Sequence, residues 1–532
     1  MHKPIIRLVS AIALALAGWA HAAESAAKPN IIFLFADDHA LQAISAYNFR
    51  GLGLNKTPNI DRLANEGALF RANFCGNSIC SPSRASVLTG KHSHMNGITS
   101  WQTFDGSQFT FPKVLQKAGY QTAMFGKWHL ESKPTGFDEW MIHPNQGSYY
   151  NPDFITPTGN KHIPGYATDI TTDLSLDFLK RHKDTGKPFL LMCQYKAPHR
   201  TWQPGPAALD HYKDTKFPEP DTLFDDYSGR AGPAAKHKMG IDKHMNMGYD
   251  LKVPFNKSNE WGRMSPVQRE GMAKTYTAEN DAFAAAKPTG KDLVQWKYQR
   301  YLKDYLRCVD SVDANVGRIL DFLKESGLDK NTIVVYSSDQ GFFLGEHGWF
   351  DKRWMYEESF RMPLLVRWPG VVKPGTTIDQ LTQNIDFAPT FLEAAGQAVP
   401  AEVQGMSLVP LLKGEKIPWR DALYYHYYDG PGEHGVAKHY GIRTDRYKLI
   451  RFYAKADNTW ELYDLEKDPK EMKSVFEDPA YATIRAELTK KLDALKQQYA
   501  NPILTEAEEK AYLEKNWPTR AAKPMPAKKP KA

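Results

Sequence analysis

Residues 31–38 read Ile-Ile-Phe-Leu-Phe-Ala-Asp-Asp, a run of large apolar side chains that ends in two carboxylates. Such a short apolar run predicts a strand that is buried on both faces of a sheet. Further strands are predicted at residues 121–125, 189–192, 333–336 and 363–367, with helical patterns at residues 57–66, 171–182 and 295–325. Strands that alternate with helices indicate an α/β fold, with a largely parallel sheet covered by helices on both faces.

Polar side chains directly follow four of these predicted strands. They are Asp37 and Asp38, the segment Gly-Lys-Trp-His-Leu at residues 126–130, Ala-Pro-His at residues 197–199, and Asp-Gln-Gly at residues 339–341. An open α/β sheet binds its ligands at the carboxyl ends of its strands. Each cluster alone would be typical of an ordinary loop, but their shared position predicts one active site.

The acidic residues at this edge have the composition of a metal site. Asp37, Asp38 and Asp339 supply carboxylates, and Gln340 supplies an amide carbonyl. These oxygens are the ligands that Ca²⁺ and Mg²⁺ prefer, whereas thiophilic metals select sulfur and imidazole. We therefore expect a hard divalent cation where these side chains converge.

Residues 80–90, Cys-Ser-Pro-Ser-Arg-Ala-Ser-Val-Leu-Thr-Gly, have the pattern of a short helix. Pro82 suits its first turn and Gly90 suits its end. We expect Cys80 just ahead of the first turn, where free N–H groups and the helix dipole favour an anion and lower the pKa of a thiol. Arg84 lies one turn further on the same side. A lone cysteine here would more often be a plain core residue, but with Arg84 the pattern predicts a site for a tetrahedral oxyanion.

This stretch resembles the signature of the type I sulfatases, Cys-x-Pro-Ser-Arg followed by Thr-Gly, and residues 126–130 are similar to a second segment of that family. The resemblance extends over residues 30–369 and continues more weakly to residue 498. It implies an alkaline-phosphatase-like α/β fold, with a large mixed sheet flanked by helices. It also implies that a formylglycine-generating enzyme oxidises Cys80 to formylglycine, the catalytic aldehyde.

The resemblance further implies a metal site and a catalytic set. The cation, calcium rather than magnesium, would be held by Asp37, Asp38, residue 80, Asp339 and Gln340, where Gln340 replaces the more common Asn or His. The catalytic set would be Cys80, Arg84, Lys127, His129, His199 and Lys352.

In the mechanism that the resemblance implies, Lys127, Lys352 and Arg84 offset charge on the sulfate. The hydrated formylglycine attacks sulfur and His199 protonates the departing alcohol. His129 then deprotonates the second hydroxyl, which expels sulfate and restores the aldehyde.

The substrate is less closely determined. Residues 342–358 look like those of carbohydrate sulfatases, with the N-acetylglucosamine-6-sulfatase group closest and iduronate-2-sulfatases next. We expect a 6-O-sulfated N-acetylglucosamine of a sulfated glycan or glycosaminoglycan as substrate, with sugar contacts from Asp351, Arg353 and His439. Three alternatives stay open: another polysaccharide sulfatase, a phosphonate or phosphate monoester hydrolase of the same superfamily, and a calcium-dependent glycan-binding protein without catalysis, if Cys80 is unmodified.

The remaining expectations concern domains and compartment. Residues 1–22 have the basic start, short apolar run and Ala-x-Ala site of a secretory signal peptide, which predicts a periplasmic or secreted protein without a membrane span. A catalytic domain is expected at residues 28–403, with residues 202–290 as an irregular insertion at the rim of the site. An α+β subdomain is expected at residues 404–505, and a basic Lys/Pro/Ala-rich tail at residues 506–532.

Charge and cysteine content exclude some classes of protein. Lys3 and Arg7 near the N-terminus and the five basic residues at positions 520–531 account for the net charge of +7. The rest of the chain is neutral and gives no support for a nucleic-acid partner. The chain has four cysteines, and conversion of Cys80 would leave three. We therefore expect no disulfide framework, although one bridge stays possible.

Overall fold

The computed structural model describes residues 28–518, and its core is a mixed sheet of ten strands. Their order across the sheet is Thr376–Ile378, Ala68–Phe70, Leu364–Arg367, Thr332–Ser338, Asn30–Ala36, Phe189–Gln194, Gln121–Gly126, Glu139–Ile142, Asp153–Thr156 and Gly159–His162. The strands from Thr332–Ser338 to Glu139–Ile142 run parallel, and Leu364–Arg367 runs antiparallel beside them. All five strands predicted from the sequence are present.

The register of the central strands brings the polar segments to one edge. Phe35 lies opposite both Gln194 and Ser337, and Gln194 lies opposite Gly126. The four neighbouring strands therefore end at the same level along the strand direction, and the chain leaves all of them at one edge of the sheet. The predicted convergence of polar segments at the carboxyl edge of the sheet is confirmed.

Helices cover both faces of this sheet. One face carries Pro58–Asn65, Ala167–His182 and Gly290–Glu325, and the other carries Cys80–Thr89, Phe111–Lys117 and Phe387–Ala394. The strand Asn30–Ala36 shows why two layers are needed. Its odd-numbered residues 31, 33 and 35 belong to one apolar cluster and residues 32 and 34 to the other, because successive side chains of a strand point to opposite faces.

The insertion at residues 202–290 is mostly irregular, as predicted, but it also contains the helix Pro266–Ala286. Ser265 and Gln268 form a capping box at its start, and Pro266 occupies the first turn. Only Met272 and Tyr276 of this helix are buried. Because so little of the helix packs against the core, its apolar periodicity is weak, and the prediction of purely irregular structure was wrong here.

The C-terminal part has the predicted α+β character. Its antiparallel sheet consists of Ala422–Tyr427, His439–Thr444, Tyr447–Phe452 and Thr459–Asp464, and the helix Ala482–Gln498 packs on one face. The other face, with Tyr425, Ile450 and Phe452, joins an apolar cluster of the catalytic domain. The two parts therefore share a core.

The short helix Val409–Leu412 lies near the start of the predicted C-terminal subdomain. The helix Glu506–Asn516 lies in the first part of the predicted basic tail. The Thr505 hydroxyl caps that helix by accepting a hydrogen bond from the Glu508 N–H. The signal-peptide prediction, and the tail beyond residue 518, lie outside the described residues.

All four cysteines, which lie within the described range, are free and buried. The expectation of no disulfide framework is confirmed. No helix in the described part of the chain combines the length and the apolar content needed to cross a membrane.

Candidate active site

The helix Cys80–Thr89 lies at the centre of the carboxyl edge, and every one of its residues is buried. Ile79 before it is extended, Cys80 is its first residue, and Gly90 ends it in the left-handed region at φ 64°. A Cβ at position 90 would also lie only 2.7 Å from a methyl group of Val403. The predicted end of this helix at Gly90 is confirmed, but the helix begins at Cys80 itself and not after it.

Arg84 connects the ends of four strands. Its Nε donates to Asp339 Oδ2 at 3.2 Å, and Nη1 donates to the Lys127 carbonyl and to Gln194 Oε1, both at 2.7 Å. Nη2 also lies 3.5 Å from Asp37 Oδ1. The guanidinium thus contacts carboxylates and carbonyls and holds the acidic residues in place, while its Nη2 is buried without a hydrogen-bond partner. The role of Arg84 in offsetting charge on a sulfate stays a prediction.

The predicted acidic residues converge. Oxygen atoms of Asp37, Asp38 and Asp339 lie within 4.8 Å of one another, and all three side chains are buried. The Gln340 amide nitrogen donates to Asp38 and, at 2.7 Å, to Asp339 Oδ1. Asp37 Oδ1, Asp38 Oδ2 and Gln340 Oε1 are buried without a hydrogen-bond partner. Buried oxygens left unpaired are costly, and this donor set fits a hard divalent cation.

The pKa values of these carboxyls reflect their crowding. Burial raises the pKa of Asp339 to about 8, with repulsion from Asp37 as the next cause. Burial likewise raises the pKa of Asp38 to about 6 against the opposing charge of Lys352. At Asp37 the charges of Lys127 and Arg84 outweigh burial and hold the pKa well below its usual range. A bound cation would favour the ionised form of all three.

Two lysines flank Cys80, as predicted. Lys127 forms an ion pair with Asp37 and donates to Gln146 Oε1 at 2.6 Å. Lys352 forms an ion pair with Asp38, and its Nζ lies 3.7 Å from Cys80 Sγ. The charge of Asp38 outweighs burial and raises the pKa of Lys352. Both cations can therefore bind a tetrahedral anion at Cys80.

Two histidines lie near Cys80, and His199 also lines the cavity above it. His199 Nδ1 is 2.6 Å from the Arg200 carbonyl, which leaves Nε2 facing Asp38 Oδ2 at 3.7 Å. The Ser81 hydroxyl donates to the His129 carbonyl at 2.6 Å and lies 3.4 Å from its Nδ1. Burial, followed by the charge of Lys127, lowers the pKa of both imidazoles well below the usual value. Both are neutral near pH 7 and can accept a proton.

A cavity of about 810 Å³ opens above Cys80. Asp351 and Arg353, predicted to contact a sugar, lie on its wall as an ion pair. The insertion contributes Asn246 and Tyr249, in agreement with its predicted place at the rim.

His439 does not lie on this wall. It is fully buried, its Nδ1 is 2.7 Å from the Ala437 carbonyl, and its Nε2 accepts from the Met355 N–H at 3.2 Å. Its ring packs between Trp354 and Tyr425. The prediction of His439 as a sugar contact was wrong, because the strand that begins at His439 turns this side chain into the core.

Sequence reasoning did not single out several residues of the cavity wall. His434 belongs to the segment at residues 432–439 that the sequence suggested for sugar contacts, and it lies on the wall with its Nε2 3.0 Å from Asp351 Oδ2. Arg200 lies there too and forms two hydrogen bonds with Asp250, at 2.7 and 2.9 Å. Trp101, Gln146 and Lys196 complete this group. Arg200 follows the predicted His199 directly, which is the one signal that could have pointed to it.

Comparison with known proteins bears on this site. The family model described as "Sulfatase" matches residues 29–397. The chain belongs to the sulfatase family. A second model, "N-sulphoglucosamine sulphohydrolase, C-terminal", matches residues 345–498 of this sulfatase, a range that includes the wall from Asp351 to His434. The protein is therefore a sulfuric ester hydrolase with an alkaline-phosphatase-like α/β fold, as the resemblance implied.

Individual relatives are also similar to this sulfatase. An N-acetylglucosamine-6-O-sulfatase of Bacteroides thetaiotaomicron is 48% identical over 517 residues, which cover 93% of this chain and 91% of the relative. The N-acetylglucosamine-6-sulfatase of Homo sapiens is 28% identical, covering 75% of this chain and 67% of the relative. A solved structure of a protein in complex with its substrate D-glucosamine-2-N,6-O-disulfate has a TM-score of 0.87 at 46% identity, covering 90% of this chain and 99% of that one.

Proposed function

We propose that this sulfatase hydrolyses the 6-O-sulfate of N-acetylglucosamine in a sulfated glycan or glycosaminoglycan. The observation that carries this proposal is the 48% identity, over 93% of the chain, to a protein named N-acetylglucosamine-6-O-sulfatase. The cavity above Cys80 supports it, because Asp351, Arg353 and His434 offer hydrogen bonds to sugar hydroxyls beside the two lysines.

The proposal includes the conversion of Cys80 to formylglycine by a formylglycine-generating enzyme. Cys80 lies at a helix start on the cavity wall, with Lys352 beside it. When formed, the hydrated aldehyde supplies an oxygen nucleophile and a second hydroxyl on the same carbon, which a thiol lacks. It also supplies a further oxygen ligand next to the acidic cluster.

We assign the cation as Ca²⁺, held by Asp37, Asp38, Asp339 and Gln340. The three unpaired buried oxygens of this set support the assignment, since Ca²⁺ accepts many oxygen ligands in flexible geometry. When bound, the cation offsets negative charge on the sulfate.

The chain's own residues perform the other tasks in this proposal. Lys127 and Lys352 bind the sulfate from two sides of residue 80 and offset its charge. Arg84 holds the carboxylates of Asp37 and Asp339 in position. His199 lines the cavity with its Nε2. That nitrogen takes up the proton that the attacking hydroxyl of residue 80 releases and donates it to the leaving alcohol oxygen, and His129 accepts the proton of the second hydroxyl.

We also propose that the protein is exported to the periplasm or secreted. This rests on the basic start, apolar run and Ala-x-Ala site of residues 1–22. N-terminal sequencing of protein from fractionated host cells tests it: export with cleavage after Ala22 is expected, and full-length protein in the cytoplasm contradicts it.

Two measurements test the proposed activity. The first is a mass spectrum of the peptide that carries residue 80, where loss of the thiol in favour of the aldehyde is expected. The second is sulfate release from sulfated monosaccharides, with Cys80→Ala as the inactive control. Release from 6-sulfated N-acetylglucosamine is expected. An unmodified thiol and no release from any sugar would instead favour a glycan-binding protein, and release only from other positions would defeat the proposed specificity.

A further inference from the structure

Lys196 is a buried cation on the cavity wall. It follows the strand Phe189–Gln194, lines the same cavity as Cys80, and is 4% exposed. Its Nζ donates to the Gln146 carbonyl at 3.0 Å and lies 4.8 Å from the centre of the Tyr149 ring. These contacts orient the ammonium group but do not neutralise it.

The other lysines and arginines of the wall are each paired with a carboxylate. Lys352 pairs with Asp38, Arg353 with Asp351, and Arg200 with Asp250. In the part of the chain that the structure describes, no carboxylate oxygen lies within 4.0 Å of Lys196 Nζ. A buried charge without a partner is costly, and burial lowers the pKa of Lys196 to about 8.

Nearby acidic groups are engaged elsewhere. Glu260 accepts hydrogen bonds from the backbone N–H groups of Tyr149 and Tyr150, at 3.2 and 3.3 Å. Asp37 forms its ion pair with Lys127. No rearrangement of these contacts is needed for an anion to enter the cavity and become the partner of Lys196.

Lys196 is also separate from the site of the hydrolysed sulfate. Gln146 lies between Lys127 and Lys196. Its side-chain oxygen accepts a hydrogen bond from Lys127, and its backbone oxygen accepts one from Lys196. Lys352, by contrast, contacts Cys80 Sγ at 3.7 Å. A cavity of about 810 Å³ is larger than a sulfate group requires and leaves room for a second substituent of the sugar.

We propose that Lys196 binds a second anionic group of the sugar substrate, a sulfate or a carboxylate distinct from the ester that is hydrolysed. The inference rests on the proposed function and adds a preference for 6-sulfated amino sugars that carry a second anionic group or are linked to a sugar that carries one. Two sources share this chemistry: an N-sulfate on the same glucosamine, and the carboxylate of a neighbouring uronic acid.

The experiment compares sulfate release from three substrates by the formylglycine-containing enzyme. They are N-acetylglucosamine-6-sulfate, D-glucosamine-2-N,6-O-disulfate, and a disaccharide in which a uronic acid is linked to N-acetylglucosamine-6-sulfate. We expect the wild-type kcat/KM to be higher for at least one doubly anionic substrate. Lys196→Met should reduce that preference about tenfold or more, mainly through KM, because hydrogen bonds between charged groups are the strong ones.

Two further variants complete the design. Lys196→Arg should keep the preference, because it keeps the charge. Lys161→Met, at an exposed lysine on the strand Gly159–His162, is the matched control and should change neither kcat nor KM.

The outcomes identify the anionic partner of Lys196 or overturn the proposal. If Lys196→Met loses kcat/KM only with the disulfate, the partner of Lys196 is an N-sulfate. If it loses kcat/KM only with the disaccharide, the partner is a carboxylate. An equal loss on all three substrates would mean that Lys196 only holds the Gln146 loop, and it would overturn the proposal, as would a wild-type enzyme with no preference for a second anion. If the wild type releases no sulfate from any of the three, the proposed function itself fails.

Discussion

Arg84 Nη2 lies 3.1 Å from Asp339 Oδ2, and both side chains are at most 2% exposed. This ion pair joins the helix that begins at Cys80 to the strand Thr332–Ser338, which ends at Asp339. The buried ion pair therefore helps to fix Cys80, the proposed site of the nucleophile, relative to the carboxylates proposed to hold a cation.

Arg84→Met should destabilise the protein strongly. The variant leaves Asp339 buried without its guanidinium partner, and removing one partner of a buried pair costs about 3–5 kcal/mol. Urea unfolding at neutral pH measures the loss. Arg71→Met is the control, because the Arg71–Asp379 pair is 62% and 70% exposed and an exposed pair contributes at most about 1 kcal/mol. Equal losses in the two variants would contradict a structural role for Arg84.

Removal of divalent cations should lower the melting temperature. Chelation leaves Asp37 Oδ1, Asp38 Oδ2 and Gln340 Oε1 without a partner, and a ligand at about one hundred times its Kd stabilises a protein by about 2.7 kcal/mol. Calorimetry with chelator, and then with excess Ca²⁺, should show a fall and a recovery. Asp38→Asn should weaken the response, whereas Asp379→Asn at the surface should not. A melting temperature that changes neither with chelator nor with added Ca²⁺ would refute the assignment of the cation site.

Glu471 should make stability depend on pH. It accepts from the Glu357 N–H at 2.7 Å and lies 2.6 Å from Lys448 Nζ. Burial, partly offset by Lys448, raises the pKa of Glu471 from 4.5 to about 7. The folded state therefore holds this proton at pH values where the unfolded chain has lost it, and its stability contribution falls as pH rises through that window.

Glu471→Gln tests this by removing the titrating group. The free energy of unfolding of the wild type should fall more steeply with pH between about pH 5 and 7 than that of the variant, by at most about 1.4 kcal/mol per pH unit. Urea unfolding at several pH values provides the two slopes. Parallel slopes would show that Glu471 does not titrate in this range.

His199→Asn should slow the reaction most for poor leaving groups. If His199 carries the proton of the departing alcohol, kcat for a sugar sulfate should fall about 10²- to 10⁴-fold. The loss should be much smaller with a nitrophenyl sulfate, whose leaving group needs no proton. His162→Asn is the control, since His162 is 56% exposed. The same loss with both substrates would exclude a role for His199 in proton transfer to the leaving group.

Several features of this protein were readable from sequence because they are local. The apolar run at residues 31–35 and the acids after it predicted both a strand and its functional end. Pro82 and Gly90 predicted the helix at Cys80, since both act through backbone conformation of their own segment. Because parallel strands end at a common edge, the convergence of Asp37, Lys127, His199 and Asp339 followed from the pattern as well.

Other features could not be predicted because they depend on contacts between distant segments. His439 and His434 lie in the same part of the sequence, yet the structure turns the first into the core and the second toward Asp351. The helix Pro266–Ala286 buries only two residues and leaves a weak periodic signal.

The sequence by itself determined the central strands, the edge at which the site forms, and the position there of Asp37, Asp38, Asp339, Lys127 and His199. These depend on apolar runs, caps and the geometry of parallel strands. Only the tertiary structure decided that Arg84 pairs with Asp37 and Asp339, that His434 and not His439 lies on the wall, and that Lys196 has no carboxylate within ion-pair distance among residues 28–518. The physical reason is that the pairing of a buried charge depends on side chains from several remote segments, and no local pattern records which of them come within reach.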